Sequence, residues 1–247
     1  MTAPVFVCSD LAGAAPGTTV VLDGPEGRHA VSVKRLRAGE DVVLTDGLGA
    51  GVHATVAAAE GKDRLVVTVT EVRDEPAPRP RLVVVQALPK GDRGELAVET
   101  MTETGVDAVV PWAAARCITQ WKGERGVKAL GKWRATAREA GKQSRRLRFP
   151  EVAELCTTRQ VAALLAGAAF AAVLHEEGSL PLAGAPLPAE GDVVLVVGPE
   201  GGVAPEELAA FEAVGAKPYR LGPTVLRTST AGTAAAAVLL ARSGRWG

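Results

Sequence analysis

The feature that most restricts this sequence is a buried-strand pattern that runs directly into a glycine-rich turn. Residues 193–202 read VVLVVGPEGG, and such an unbroken β-branched run is typical of a strand buried on both faces of a parallel sheet. Gly198, Gly201 and Gly202 leave the backbone bare, so that a ligand can approach it closely. Pro205 and two glutamates favour a helix start directly afterwards. Since ligands of α/β folds bind at the carboxyl ends of strands, this turn is the first candidate site.

A second segment with the same organisation lies closer to the carboxyl terminus. Residues 219–233 read YRLGPTVLRTSTAGT. They predict a short strand over residues 219–221, a Gly-Pro turn at Gly222 and an alanine-rich helix that ends at Leu240. Two Gly-Pro turns that each follow a strand predict two loops that line one pocket.

The residue patterns argue against several kinds of site. GPEGG differs from G-x-G-x-x-G and no Gly-Lys-Ser/Thr follows it, which argues against dinucleotide and P-loop sites. No H-x-x-E-H or C-x-x-C motif is present, so we expect no metal. Ser229 lies in TSTAG rather than G-x-S-x-G, and the three histidines are scattered, which argues against a serine hydrolase. We therefore expect a ligand held mainly by loop backbone, with its apolar parts against Leu221, Val225 and Leu226.

The chain is expected to divide at a proline-rich segment. Residues 1–74 contain short β-rich runs and one predicted helix over residues 26–36, a pattern that favours a small β-barrel. Residues 75–81 contain three prolines and form an extended linker. Residues 82–247 alternate strands with helices, which predicts an α/β domain with a mostly parallel sheet. The predicted strands are residues 5–7, 19–22, 41–45, 51–56, 64–69, 82–87, 108–111, 168–174, 193–197 and 219–221.

Charge is distributed unevenly, although the net charge is zero. Residues 116–148 contain eleven Lys or Arg and two Glu, whereas residues 174–215 contain eight Asp or Glu and no Lys or Arg. This asymmetry predicts a face for a polyanion and a separate, neutral-to-acidic pocket. Three widely spaced cysteines favour a reducing cytoplasm. The first ten residues do not resemble a signal peptide and no apolar run is long enough to span a membrane, so we expect a cytoplasmic protein without membrane contact.

Five stretches together resemble a known family. GPEGG with its acidic helix and LGPTVLRTSTA are similar to the SPOUT-class RNA methyltransferases, and more narrowly to the RsmE-type 16S ribosomal RNA (uracil-N3) methyltransferases. The stretches GRHAVSVKRLRAGE, QALPKGDRGELAVETMTETGVDAVVPWAAARC and QSRRLRFP match in the same order. The resemblance implies a PUA-like RNA-binding barrel over residues 1–74 and a SPOUT methyltransferase domain over residues 82–247. The latter would carry a trefoil knot that spacing alone could not predict.

The resemblance also implies the cofactor and the partners. The cofactor is S-adenosyl-L-methionine, the substrate is 16S ribosomal RNA or the small ribosomal subunit, and the protein is a homodimer with each active site near the subunit interface. Carried over by position, the cofactor-binding residues are Leu174, His175, Gly198, Pro199, Glu200, Gly201, Gly202, Leu221, Gly222, Val225, Leu226, Arg227, Thr228 and Ser229.

Two residues are candidates for catalysis. Arg227 could stabilise the anion that develops on the uracil carbonyl oxygens, hold a phosphate or the cofactor carboxylate, or form a structural salt bridge. Glu200 either accepts backbone N–H groups in its turn or belongs to a proton path. Ser229 stands where many relatives have Glu, and it would be a poor base. The residue before the acidic helix is Ala204 instead of Ser or Thr, so a side-chain cap is missing, which costs about 1 kcal/mol.

RNA binding is expected to use basic residues of both domains. On the barrel, five of them cluster in ten residues, an arrangement compatible with a solvated face or with phosphate contacts. The exposed target base would be selected by shape. We expect Trp121 and Trp133 to belong to the core or an interface rather than to stack on bases. The predicted RNA-binding residues are Arg28, His29, Lys34, Arg35, Arg37, Lys90, Arg93, Gln143, Arg145, Arg146 and Arg148.

These expectations favour an S-adenosylmethionine-dependent enzyme that methylates N3 of a uridine in 16S ribosomal RNA. Within the class, the alternative is a knotted enzyme that acts on tRNA or on a ribose 2′-hydroxyl. An RNA-binding ribosome assembly factor without catalysis is the alternative from another class; it would need the basic face but not two Gly-Pro loops. Binding of S-adenosylmethionine discriminates between the enzyme and the assembly factor.

Overall fold

The computed structural model describes residues 3–247, which form two compact units. The first reaches to Ala77 and also takes in Gly141–Phe149, whereas the second comprises Pro78–Ala140 and Pro150–Gly247. The division after Ala77 falls inside the proline-rich segment, at residues 75–81, where the sequence predicts a linker.

The first unit is built on a five-stranded sheet with the strand order β1-β3-β4-β5-β2. β1 pairs with β3 in parallel, and the other pairs are antiparallel. Alternate residues face a core that contains Phe6, Leu44 and Leu65. Each strand lies where the sequence predicts one, although β4 and β5 are longer than expected. The strands are β1 Val5–Val7, β2 Thr19–Leu22, β3 Asp41–Thr45, β4 Ala50–Glu60 and β5 Arg64–Asp74.

The predicted helix over residues 26–36 differs from the structure. A short helix α1 (Gly24–Arg28) continues into a single π-helical turn, His29–Val33. The turn ends because Arg35 has a φ of 56°, outside the helical region. Gly27 accounts for the close packing of α1 on the rest of the unit, since a Cβ at this position would lie 2.0 Å from the carbonyl oxygen of Asp63. Only a glycine permits this approach.

Residues Gly141–Phe149 pack on the sheet of the first unit, although the sequence assigns them to the second domain. The Lys142 Nζ lies 3.1 Å from the Glu26 carboxylate, and both side chains are largely buried. The Thr45 hydroxyl donates to the carbonyl oxygen of Leu147 at 2.8 Å. Phe149 covers Gly47, whose Cβ would lie 3.0 Å from its ring. Sequence order alone does not show this return of the chain, because every one of these contacts is long-range.

The second unit contains a seven-stranded sheet with the order β10-β12-β9-β11-β6-β7-β8, in which every pair is parallel. The predicted mostly parallel sheet is confirmed. The two-residue strands β8 and β10 were not predicted, because such short strands carry no periodic pattern. The strands are β6 Arg81–Ala87, β7 Ala108–Trp112, β8 Glu151–Val152, β9 Phe170–Leu174, β10 Leu180–Pro181, β11 Asp192–Val197 and β12 Lys217–Arg220.

Helices cover both faces of this sheet, as the alternating pattern predicts. One hydrophobic cluster includes Met101, Trp133 and Leu239, and the other includes Val161 and Phe211. A 3₁₀ turn, Leu182–Gly184, follows β10. No helix among residues 3–247 is both long and apolar enough to cross a membrane. The helices are α2 Arg93–Thr104, α3 Gly123–Gln143, α4 Thr158–Ala166, α5 Pro205–Glu212 and α6 Thr228–Arg242.

Candidate active site

The loops that follow β9, β11 and β12 line a cleft with a volume of about 540 Å³. These strands are neighbours in the order β12-β9-β11, and parallel strands bring their carboxyl ends to the same edge. Arg93 and Arg116 reach the cleft from the segments that follow β6 and β7. The lining residues are Arg93, Arg116, Leu174, His175, Glu176, Val197, Gly198, Pro199, Glu200, Gly201, Gly202, Val203, Arg220, Leu221, Gly222, Pro223, Thr224, Val225, Leu226, Arg227, Thr228 and Ala231.

The structure brings together the predicted cofactor residues with one exception. Residues from both Gly-Pro turns line this single cleft, together with Leu174 and His175. Ser229 does not line it, because the first turn of α6 directs this side chain into the protein, where it is 3% exposed. The prediction that Ser229 belongs to the cofactor site is therefore not supported by the lining of this cleft.

The glycine turn after β11 is a tight loop held from two sides. The N–H of Gly202 donates to the carbonyl oxygen of Pro199 at 2.9 Å, and Gly202 has a φ of 73°. The guanidinium of Arg116 donates to the carbonyl oxygen of Gly201 at 3.0 Å. Glu200 accepts the N–H of Lys90 at 3.1 Å. This contact agrees with the predicted role of Glu200 as an acceptor of backbone N–H groups. The turn is thus braced by the loops after β6 and β7.

Glu207 is a buried carboxylate whose hydrogen bonds hold the segments next to this loop. The sequence did not predict this role. One of its oxygens accepts the N–H of Ala115 and the hydroxyl of Thr158, both at 2.8 Å. The other accepts the N–H of Ala204 at 3.2 Å. The bond to Ala204 compensates for the missing side-chain cap at the start of α5, since the glutamate three residues into the helix reaches back to the capping N–H. A glutamate three residues into the helix is the sequence signal that could have predicted this capping contact.

The second loop places Arg227 at the start of α6. Its carbonyl oxygen accepts the N–H groups of Thr230 and Ala231, whereas its exposed guanidinium has no hydrogen-bond partner or ion pair within residues 3–247. A structural salt bridge is therefore not supported. Gln86, fully buried at the end of β6, donates to the carbonyl oxygen of Thr228 at 3.4 Å. Gln86 is a second residue that sequence reasoning missed, and it fixes the start of α6.

The charges around the cleft differ from the expected neutral-to-acidic pocket. Four arginines and two glutamates line it, together with His175. The expectation was wrong because no lining arginine comes from the acidic segment, residues 174–215. Glu200 is bonded to the Lys90 N–H, and the His175 Nδ1 accepts the N–H of Glu177 at 3.2 Å. The cleft therefore presents mainly cationic groups to a ligand.

The part of the chain that the structure describes holds no group of three or more His, Cys, Asp or Glu side chains placed to bind a metal. Burial raises the pKa of the Cys117 thiol, and the nearby carboxylates of Glu207 and Glu200 raise it further. Cys117 therefore stays protonated at neutral pH and is a weak nucleophile. Burial also raises the pKa of Cys8 and Cys156.

The predicted RNA-binding residues fall into two groups by their contacts. Arg146 donates to the carbonyl oxygen of Arg148 at 2.8 Å, and Arg148 donates to that of Glu75 at 2.8 Å, so both hold structural positions. His29 is half-buried and packs edge-on against Phe6. Of the remainder, Arg93 is half-buried at the cleft, and the exposed ones are Arg28, Lys34, Arg35, Arg37, Lys90, Gln143 and Arg145.

The two candidate stacking tryptophans pack against each other. The rings of Trp121 and Trp133 meet edge-on with their centroids 4.9 Å apart. Trp133 is 3% exposed, and it covers Gly94 at the start of α2. Trp121 packs at the border of the same core. The interpretation of both rings as core residues agrees with this arrangement.

Comparison with known proteins identifies the class of protein that carries such a cleft. The profile of the RNA methyltransferase domain family matches residues 75–240, and that of the RNA methyltransferase PUA domain matches residues 22–70. The chain belongs to this family of RNA methyltransferases. These two matches confirm the predicted resemblance to RNA methyltransferases. They also confirm that the first domain is PUA-like.

Individual relatives narrow the comparison. The chain is 45% identical to ribosomal RNA small subunit methyltransferase E of Mycobacterium bovis, over 93% of this chain and 89% of the relative. It is 28% identical to the protein of the same name from Bacillus subtilis, over 86% of both chains. The similarity thus extends over both domains.

Solved structures show the same fold. The Neisseria gonorrhoeae ribosomal RNA small subunit methyltransferase E, bound to S-adenosyl methionine, is 26% identical, covers 98% of both chains and has a TM-score of 0.84. A Legionella pneumophila protein in complex with the cofactor SAM is 28% identical, again over 98% of both chains, with a TM-score of 0.85. The threading of the carboxyl-terminal segment as a trefoil knot stays a prediction.

Proposed function

We propose that this protein transfers a methyl group from S-adenosyl-L-methionine to N3 of a uridine in 16S ribosomal RNA. The cleft carries the proposal, because two glycine-containing loops and Leu174 enclose a volume suited to a small-molecule ligand. The solved relatives with the same fold were crystallised with this cofactor. The curated relatives are named for methylation of small-subunit ribosomal RNA.

The residues present fit the cofactor. The bare backbone at Gly201 and Gly202 permits close approach, while Leu221, Val225 and Leu226 offer apolar surface to its adenine and methionine portions. When bound, S-adenosylmethionine supplies a methyl group already activated on a sulfonium ion. No metal is needed for such a transfer, and the protein's task is to bind, orient and exclude water.

The methyl acceptor, N3 of the uridine, places a further chemical requirement on the protein. Uridine N3 carries a proton at neutral pH, and it must lose this proton as the new N–CH₃ bond forms. The unpaired guanidinium of Arg227 lines the cleft, and we assign it the stabilisation of negative charge on the uracil carbonyl oxygens. Glu200 is assigned the bracing of the glycine loop, because its Oε1 accepts the Lys90 N–H.

The RNA contacts are assigned to the exposed cations of both units. Arg28, Lys34, Arg35 and Arg37 of the first unit are exposed, as is Lys90 of the second; the half-buried Arg93 lines the cleft. Such contacts give an affinity that falls as salt rises. The proposal includes a cytoplasmic homodimer, as the family resemblance implies, and light scattering of the purified protein measures its mass.

Two measurements test the proposed function. Calorimetry should detect binding of S-adenosylmethionine to the pure protein, and its absence would favour a non-catalytic assembly factor. The protein should then transfer labelled methyl groups to small subunits or 16S RNA from cells that lack it. Nucleoside mass spectrometry should show N3-methyluridine as the product. A 2′-O-methylated nucleoside, or methylation of tRNA instead, would refute the assignment of the acceptor.

A further inference from the structure

The first half of α3 carries a row of cations that no contact in the structure explains. Residues 116–148 contain eleven Lys or Arg, and several of these are used inside the protein. Arg116 bonds to Gly201, Arg134 to Glu154, and Lys142 to Glu26. By contrast, Arg125, Lys128 and Lys132 are exposed and form no hydrogen bond or ion pair within residues 3–247. We call these three residues the basic row.

Helix geometry places the basic row on one side of α3. At about 100° per residue, the three positions fall within an arc of about 60°. The buried residue Leu130 lies on the opposite side and Trp133 about 110° away from the middle of the row, and both pack into the core. With a rise of about 1.5 Å per residue, the row spans about 10 Å along the helix. This is close to one Debye length at physiological salt, so the three charges act on a ligand together.

The basic row does not stabilise the helix that carries it. Like charges three and four residues apart disfavour a helix by about 0.2–0.5 kcal/mol per pair. Arg125 lies in the first turn of α3 (Gly123–Gln143), where the helix dipole favours anions. Glu124, the only acid within residues 122–132, lies four residues before Lys128, so a single favourable pair opposes this repulsion. A ligand of negative charge accounts for the row where helix stability does not.

The start of α3 is tied to the cleft through the loop that precedes it. Arg116 in this loop lines the cleft, and the hydroxyl of Thr119 donates to the carbonyl oxygen of Pro89 at 2.8 Å. Gly123 follows Arg116 by seven positions, so the chain between them spans at most about 25 Å. An RNA that inserts one base into the cleft extends at least this far on either side of that base.

We propose that the basic row is an accessory RNA-binding surface, which contacts phosphates of the ribosomal RNA substrate away from the methylated base. This inference rests on the proposed function for the identity of the RNA. The contacts are with the phosphate backbone, so they add affinity and orientation without sequence preference. The surface is separate from the cofactor cleft, and it is not needed for cofactor binding or for the chemical step.

The test replaces the row with Arg125→Gln, Lys128→Gln and Lys132→Gln in one variant. The matched control is Arg79→Gln, Arg159→Gln and Lys217→Gln, which removes the same charge from exposed positions of the same unit. Binding of a 16S RNA transcript and of purified small subunits is measured between about 50 and about 200 mM salt. For the row variant, the slope of log affinity against log salt should fall by about two to three. The control should keep the wild-type slope.

Further readouts separate this inference from the proposed function. The row variant should bind S-adenosylmethionine as the wild type does, and at saturating RNA its turnover should be unchanged while its KM for RNA rises about tenfold. Its melting temperature should not fall, since repulsion is relieved. If the row and control variants have the same slope of log RNA affinity against log salt, the inference is refuted. This is also the result expected if the partner of the row is an acidic protein instead of RNA. If the wild type transfers no methyl group, the proposed function fails, whereas RNA binding still tests the row. The single variants Arg125→Gln and Lys132→Gln should each lower the slope by about one.

Discussion

Glu206 and Glu207 are adjacent glutamates in the first turn of α5, and their environments differ sharply. Glu206 is exposed, whereas Glu207 is 5% exposed and accepts three hydrogen bonds. Replacing each by glutamine therefore makes a matched pair, in which chemistry, position and helix are the same and only the buried contacts differ. We predict that Glu207→Gln destabilises the protein strongly and that Glu206→Gln does so only slightly.

The size of the difference follows from the contacts of Glu207. An amide in its place cannot accept at both ends, so the N–H of either Ala204 or Ala115 faces an NH₂ group. Leaving that buried donor unpaired costs about 1–3 kcal/mol. The remaining bonds lose their charge assistance, which makes each about half as strong. Both variants lose the same helix-dipole interaction of about 0.5 kcal/mol. The net difference between the two variants is about 3 kcal/mol.

Thermal unfolding monitored by near-UV circular dichroism measures this difference. In a protein of this size, about 3 kcal/mol corresponds to a melting temperature lower by about 6–12 °C for Glu207→Gln than for Glu206→Gln. Glu207→Gln should also bind S-adenosylmethionine more weakly, because Glu207 joins the start of α5 to the loop that carries Arg116. If the melting temperatures of the two variants agree within about 1 °C, the conclusion that the buried contacts of Glu207 support the site is refuted.

Three further predictions test other parts of the structure. Gly202→Ala forces a Cβ onto a φ of 73°, a cost of about 1–2 kcal/mol, and calorimetry should show weaker cofactor binding; an unchanged Kd would contradict a backbone-lined pocket. Arg227→Ala should lower kcat while the melting temperature stays constant, because the guanidinium is exposed and unpaired; an unaltered rate removes it from the mechanism. Gly27→Ala should unfold the first unit, whereas Gly131→Ala, with no atom within 4 Å of its Cβ, should raise stability by up to about 1 kcal/mol. Urea titration measures both, and equal midpoints would contradict the close approach of Gly27 to Asp63.

The parallel sheet was predictable because β6 (Arg81–Ala87) and β11 (Asp192–Val197) each contain an unbroken apolar run, residues 82–85 and 193–197. The edge strands β8 and β10 were not, since a two-residue strand exists only through its partner. The helix predicted over residues 26–36 is observed only in part. Helical turns run from Gly24 to Val33, but apolar spacing does not predict the change to a π-helical turn at His29 or the positive φ of Arg35 that ends it.

The candidate site was predictable where it is local in sequence and not where it is assembled from distant segments. GPEGG and LGPTVLRT are continuous stretches, and their resemblance to a family carried most of the lining residues. Arg116 and Glu207 act across 85 and 92 residues respectively, so no window of sequence contains both partners. Ser229 shows the reverse error, because a continuous motif includes a residue that the first turn of α6 directs into the core.

The side chains that stabilise the loops and the side chains that face the cleft are different ones. Glu207 and Gln86 are buried, and each joins loop backbone to the frame of the second unit. Arg227, Val225 and Leu226 are exposed, and Val225 is 78% exposed. Loss of a buried anchor therefore lowers stability first and activity as a consequence, whereas loss of a cleft-facing side chain lowers activity alone. Buried side chains that already hold the loop backbone reduce the ordering that is required when a ligand binds.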